Sequence, residues 1–177
     1  MNNSSERTVT VIQGEYRISR DPSVVFTTVL GSCVAVCLHD PDISTGGMNH
    51  FLLPKREGRA GENIRYGAYS MELMINEMLK QGARKDRMIA KLFGGARMSL
   101  ALSDIGASNG RFAHDFLAEE SIPIAAESLG GNAARRVKFW PASGRAKQLL
   151  VPGNIEDVAP VVTAPKPKEP SDSITLF

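Results

Sequence analysis

A chain of 177 residues, 42% apolar and 23% charged, has the length of one domain and the composition of a folded one, which excludes wholesale disorder. Its 21 basic and 19 acidic side chains leave a net charge of +2, too even a balance for a protein that wraps nucleic acid. Two cysteines exclude a disulfide scaffold, and the run Ser23 to Leu38, broken by Thr27, Thr28, Gly31 and Ser32, falls short of the ~20 apolar residues of a membrane-spanning helix.

Thr8 to Ile12 alternates around β-branched residues and predicts a strand, and Tyr16 to Ser19 a second short one after a turn at Gly14. Val24 to Leu30, dense in Val, Phe and Thr, predicts a buried strand. Gly31-Ser32 interrupts it, and Val34 to Leu38 resumes the pattern. Asp40-Pro41-Asp42 and Gly46-Gly47 punctuate a hairpin that returns through Met48 to Leu53 and stops at Pro54. Lys55 to Arg65 reads as a polar loop. Met71, Met74, Ile75, Met78 and Leu79 recur at helical spacing within Tyr69 to Lys80, with Gly82 placed to cap the end. These methionines read as core filler.

Arg87 to Phe93 predicts a strand closed by Gly94-Gly95, and Asn109 to Glu120 a second helix with Phe112, Phe116 and Leu117 on one face. Three strands are expected beyond it, at Ile122 to Ala126, Val137 to Trp140 and Gln148 to Val151. The order of elements gives an α+β domain over residues 1–151. Five of the 10 prolines (Pro152, Pro160, Pro165, Pro167, Pro170) fall in residues 152–177, which predicts a flexible arm with a frayed apolar end at Ile174 to Phe177. The polar start, Met1 to Arg7, lacks an apolar signal core, and the free thiols suit a cytoplasmic protein.

Chemistry concentrates around Cys33. The glycine at position 31 lets the chain turn sharply and a substrate approach the thiol. The backbone N–H of Cys33 is available to a developing oxyanion, with Gly31, Ser32, Gly94 and Gly95 as further positioning candidates. A thiol of ordinary pKa is only a few per cent ionised at neutral pH and needs a base. His50, seventeen positions on across the hairpin, is placed to take the thiol proton and return it to a leaving group. Thr27, on the preceding strand, is the candidate to hold the imidazole through its other nitrogen.

Competing readings are open. Cys37 reads as inert packing, His114 as a surface residue, and Cys33 and His50 individually fit structural roles. Zinc on Cys33, Cys37, His39 and His50 is disfavoured because four residues of strand span ~13 Å, and the same length forbids a Cys33–Cys37 disulfide. Four functions fit such a site: an amide hydrolase, a cysteine peptidase or thioesterase, a regulatory binding module with a vestigial site, or a redox or metal sensor.

Leu30-Gly31-Ser32-Cys33-Val34-Ala35-Val36-Cys37, then Gly46-Gly47-Met48-Asn49-His50 and Leu53-Pro54, resembles the CheD family of chemoreceptor glutamine deamidases. Gly14-Glu15-Tyr16, Lys91 to Ala96, Ile105-Gly106, Phe116-Leu117, Leu129-Gly130-Gly131 and Arg136-Val137 extend the resemblance over roughly residues 11–151, in the same order. It implies a cysteine hydrolase without metal or cofactor, whose Cys, His and Thr fall on Cys33, His50 and Thr27. The implied substrate is a glutamine on the cytoplasmic helices of methyl-accepting chemotaxis receptors, converted to glutamate with release of ammonia. The implied fold resembles that of cytotoxic necrotising factor-type cysteine hydrolases, with mixed β-sheets packed between helices, and some relatives bind a CheC-like phosphatase. Neither nucleic acid nor membrane insertion is implied. Asn49, Ser128 and Ala133-Ala134 depart from the family pattern.

Overall fold

The computed structural model describes residues 5–53, 60–99, 103–152 and 174–177. Among the described residues, ten strands form two five-stranded sheets. The first has the order β1(Arg7–Thr10), β3(Val24–Leu30), β8(Ala134–Trp140), β9(Arg145–Val151), β10(Ile174–Leu176). The second runs β2(Tyr16–Ser19), β5(Thr45–Asn49), β4(Val34–Asp40), β6(Ile89–Gly94), β7(Ile124–Leu129). Both are mixed, with β1 parallel to β3 and β6 parallel to β7 and the other pairs antiparallel. Two helices, α1(Ala60–Lys80) and α2(Ser103–Glu119), complete an α+β architecture, as expected.

Strand alternation divides the core into two layers. Val24, Phe26 and Leu30 of β3, with Val137, Phe139 and Ala146, meet Ala35, Cys37, Met48 and Phe93 between the sheets. The opposite face of the second sheet, Val34, Val36, Leu38, Ala90 and Leu92, is covered by Met71, Met74, Ile75 and Met78 of α1 and by Ala113, Phe116 and Leu117 of α2. The layers therefore run sheet, sheet, helices, and a strand of the second sheet is buried on both faces. That explains the unbroken apolar run of β4. One polar side chain inside this layer, Asn49, accepts the Val36 N–H at 2.9 Å and donates to the Met71 sulfur at 3.0 Å, so its amide is satisfied on the helix side. Among the described residues no helix is long and apolar enough to cross a membrane.

Both helices begin earlier than the apolar spacing predicts. The turns added to α1 fall on Ala60 to Arg65, read above as loop, and those added to α2 on Ser103 to Ser108, whose polar composition carries no helical period. The frayed C-terminus is also corrected. Ile174, Thr175 and Leu176 pair with Leu149, Gln148 and Lys147, the Phe177 N–H donates to the Ala146 carbonyl at 3.0 Å, and the Phe177 ring meets Phe93 edge-on at 5.3 Å. Two ladder bonds and an aromatic contact outweigh the fraying of a short end. The rest of the proline-rich arm, residues 153–173, lies outside the described residues.

Candidate active site

β4 and β5 form the expected hairpin, turned by a single 3-10 turn at Pro41–Ile43 whose Asp40 carboxylate accepts the Asp42 N–H. The register pairs Cys37 with Met48 and, beyond the end of β5, Val34 with Phe51. The same register sets Ala35 opposite His50, so Cys33, two residues on, shares a face with His50 as its diagonal neighbour. Diagonal neighbours lie roughly 7–8 Å apart along the backbone, within the span of an imidazole and a thiol side chain. Both side chains face the first sheet, where Cys33 packs at the edge of the inter-sheet cluster.

The segment carrying Cys33 is anchored through three successive carbonyls. Gly31 accepts from the Ala96 N–H at 2.8 Å, Ser32 from the Asn109 side-chain amide at 2.8 Å, and Cys33 from the Gly95 N–H at 2.8 Å. Gly94 and Gly95 adopt left-handed backbones with φ of 114° and 63°, and a Cβ on Gly94 would collide with the Cys33 carbonyl oxygen. This geometry leaves the Gly95 N–H unavailable as an oxyanion donor. The Gly95 N–H is committed to the Cys33 carbonyl, and the pair serves to let the backbones approach. Gly31 and Ser32 likewise contribute their carbonyls to the anchor. Burial raises the Cys33 thiol pKa to about 11, opposed by its own backbone N–H, which favours the thiolate. Cys37 is fully buried in the same layer, and burial pushes its thiol up further.

His50 is only 7% exposed. Its Nδ1 lies 2.9 Å from the Thr28 hydroxyl and 3.3 Å from the Val11 carbonyl. Thr28 gives its single proton to that same carbonyl at 2.7 Å, so the hydroxyl faces Nδ1 as an acceptor. Both neighbours of Nδ1 accept, which places the ring proton there. Nε2 is left with a free lone pair and no hydrogen-bond partner among the described residues. Burial lowers the His50 pKa below its ordinary value, opposed only by the bond to Val11. No carboxylate contributes. Burial therefore favours the neutral form of both Cys33 and His50.

Thr27 does not take the place the sequence reading gave it. Its hydroxyl donates to the Val137 carbonyl at 3.0 Å, on the other face of β3, and the residue against His50 is Thr28. Successive residues of a strand point to opposite faces, and Thr28 shares the inward parity of Val24, Phe26 and Leu30. That parity was the available signal.

Two site residues carried no sequence signal. Asn109 of α2 is fully buried, and besides holding the Ser32 carbonyl it accepts the Leu53 N–H at 3.0 Å. One side chain thus joins the segment that carries Cys33 to the strand extension that carries His50. Gln13 lies in the turn between β1 and β2, and its Oε1 accepts the Cys33 thiol proton at 3.5 Å. His39, named in the zinc alternative, bonds the Pro141 carbonyl at 3.0 Å through Nδ1, and among the described residues no group of His, Cys, Asp or Glu side chains converges as a metal site. His114 pairs with Glu127 at 2.6 Å on the surface.

The family model for CheD, chemotactic sensory transduction, matches residues 52–148. A protein of Caulobacter vibrioides named probable chemoreceptor glutamine deamidase CheD is 53% identical over 173 residues, covering 96% of this chain and 92% of its own. One of the same name from Acidiphilium cryptum is 48% identical over 178 residues, covering 97% and 94%. Another, from Agrobacterium fabrum, is 46% identical over 181 residues, covering both chains entirely. Among solved structures, Neisseria meningitidis protein NMB0706 aligns with a TM-score of 0.47 at 9% identity, covering 71% of this chain and 64% of that one. With a match to more than half of its length and near-full-length relatives at about half identity, the chain belongs to the CheD family.

Proposed function

We propose that this protein hydrolyses the side-chain amide of glutamine residues in chemoreceptors, on their cytoplasmic helices, with Cys33 as nucleophile and His50 as the proton carrier. The observation that carries the mechanism is the hydrogen bonding of the two His50 ring nitrogens. Thr28 and Val11 fix the proton on Nδ1 and leave Nε2 bare on the face it shares with Cys33. The near-full-length relatives named as chemoreceptor glutamine deamidases support the choice of substrate.

In this reading Nε2 takes the Cys33 proton as Sγ attacks the carboxamide carbon. The carbonyl electrons move to oxygen, and the Cys33 backbone N–H donates to the oxyanion. A single well-aimed donor of this kind contributes ~3–4 kcal/mol. The tetrahedral centre collapses, the C–N bond breaks, and the Nε2 proton leaves with ammonia, giving a thioester. Water enters, loses a proton to Nε2 and displaces the thiol as glutamate forms. Thr28 orients the imidazole but is neutral, so it stabilises imidazolium less than the aspartate of a serine-protease triad does.

Incubation with a receptor cytoplasmic fragment, followed by peptide mapping, is expected to show conversion of particular glutamines to glutamate with one ammonia released per conversion. Cleavage of the fragment, or an unaltered glutamine content, overturns the proposal. The first outcome would point to a peptidase, which shares the acyl-enzyme steps.

The neutral forms that burial favours predict a pH profile. Because burial holds the His50 pKa below 6.5, the base form persists through neutrality, and kcat/KM is expected to fall only at pH values below 6.5. Because the free thiol titrates near 11, alkylation of Cys33 is expected to keep rising through the alkaline range rather than level off near neutral pH. Ammonia release and iodoacetamide labelling measured across pH check both limbs.

A further inference from the structure

The contact between Gln13 and the nucleophile plays no part in the mechanism above, yet it places the substrate's own functional group against the reacting atom. The turn that carries Gln13 is fixed on both sides of the site. The Val11 N–H donates to the Thr27 carbonyl at 2.9 Å, the Gly14 N–H to the His50 carbonyl at 2.8 Å, and the His50 N–H to the Glu15 carbonyl at 3.0 Å. Gly14 has a φ of 88° and closes the turn. The backbone around Gln13 is therefore tied to the strands bearing Thr28 and His50, while its side chain is exposed. Cys33 is half-buried, and the inter-sheet cluster packs against it. The exposed neighbour in bonding contact with Sγ is the Gln13 carboxamide, whose Oε1 accepts the thiol proton.

We propose that the space filled by the Gln13 carboxamide is the subsite for the substrate's glutamine carboxamide, occupied in cis by Gln13 until substrate displaces it. The proposal rests on the deamidase reading and adds the location of the acyl subsite. Gln13 resists hydrolysis there for a geometric reason. A thiol that donates its proton to a carbonyl oxygen lies near the lone-pair direction, in the carboxamide plane, whereas attack on the carbon must come from above that plane. The held thiol also directs its S–H at Oε1 rather than at Nε2 of His50. Displacing Gln13 frees the thiol to turn to the base. An exposed side chain with one weak sulfur bond is displaced at small cost, so the effect on apparent affinity is modest.

The test is Gln13→Ala in the full chain, read in two ways. The KM for a receptor cytoplasmic fragment is expected to fall about two- to five-fold, the factor set by the loss of one neutral hydrogen bond. Iodoacetamide, itself a small carboxamide, is expected to alkylate Cys33 faster by a similar factor at mildly alkaline pH, with Cys33→Ala as the unlabelled control. Unchanged labelling overturns the proposal, as does a raised KM or a kcat reduced ten-fold or more, which would make Gln13 a donor to the oxyanion. Labelling needs no deamidation, so faster labelling without conversion of receptor glutamine would sink the deamidase reading and leave the Gln13 contact standing.

Discussion

Replacing Cys33 by alanine is expected to reduce ammonia release from a receptor fragment to background, a loss of at least ~10⁴-fold in kcat, because the only other thiol of the chain is Cys37. The second thiol cannot substitute for it. Cys37 lies four residues along β4, fully buried between the sheets, and its pKa is raised further than that of Cys33. The fold should survive. Cys33 sits at the rim of the inter-sheet cluster, and its segment is held by the carbonyls of Gly31, Ser32 and Cys33 rather than by the side chain. Removing one sulfur at such a position costs about 1 kcal/mol or less, so a thermal melt should move by only a few degrees. Full activity in Cys33→Ala would discard the mechanism, and a collapsed melt would send the test to Cys33→Ser, which keeps the volume and lowers nucleophilicity.

The second large effect is expected at His50. Without the imidazole the thiol loses its base and ammonia loses its proton donor, and each role of this type contributes ~10²–10⁴-fold. His50→Gln, which keeps a polar side chain in this buried position, is expected to retain less than a hundredth of the wild-type kcat. The orienting hydroxyl supplies a finer test of the same geometry. Thr28→Val removes the acceptor facing Nδ1 and should lower kcat by roughly ten-fold. Thr27→Val, whose hydroxyl bonds the Val137 carbonyl on the far face, should leave kcat near wild type. A steady-state comparison of the two neighbours decides between them, and the reverse ranking would overturn the assignment of Thr28.

Much of this was readable from the sequence because it is written in short-range patterns. The density of Val, Phe and Thr over Val24 to Leu30, the turn at Asp40 to Gly47 and the apolar spacing of Met71 to Met78 each encode a local structure that packing then keeps. Cys33 and His50 could be set on neighbouring strands because a hairpin of known turn converts sequence distance into spatial distance. The choice between Thr27 and Thr28 needed one more step, the parity of a strand whose inward set includes Phe26 and Leu30. What stayed hidden depends on contacts between distant segments. Asn109 reaches Ser32 across 77 positions and Leu53 across 56, and nothing in the residues flanking it marks it as different from any helix asparagine. The short strand at Ile174 to Leu176 was obscured by the prolines before it, since its stability comes from the edge of β9 and from Phe93, not from its own composition.

The asparagine clamp also bears on how such a site can open and close. A helix that contributes no reacting atom holds the peptide before the thiol with one end of its amide and the chain after the imidazole with the other. Sulfur and ring are thereby geared together. A shift of α2 would therefore pull on both segments at once, through the two ends of a single buried amide.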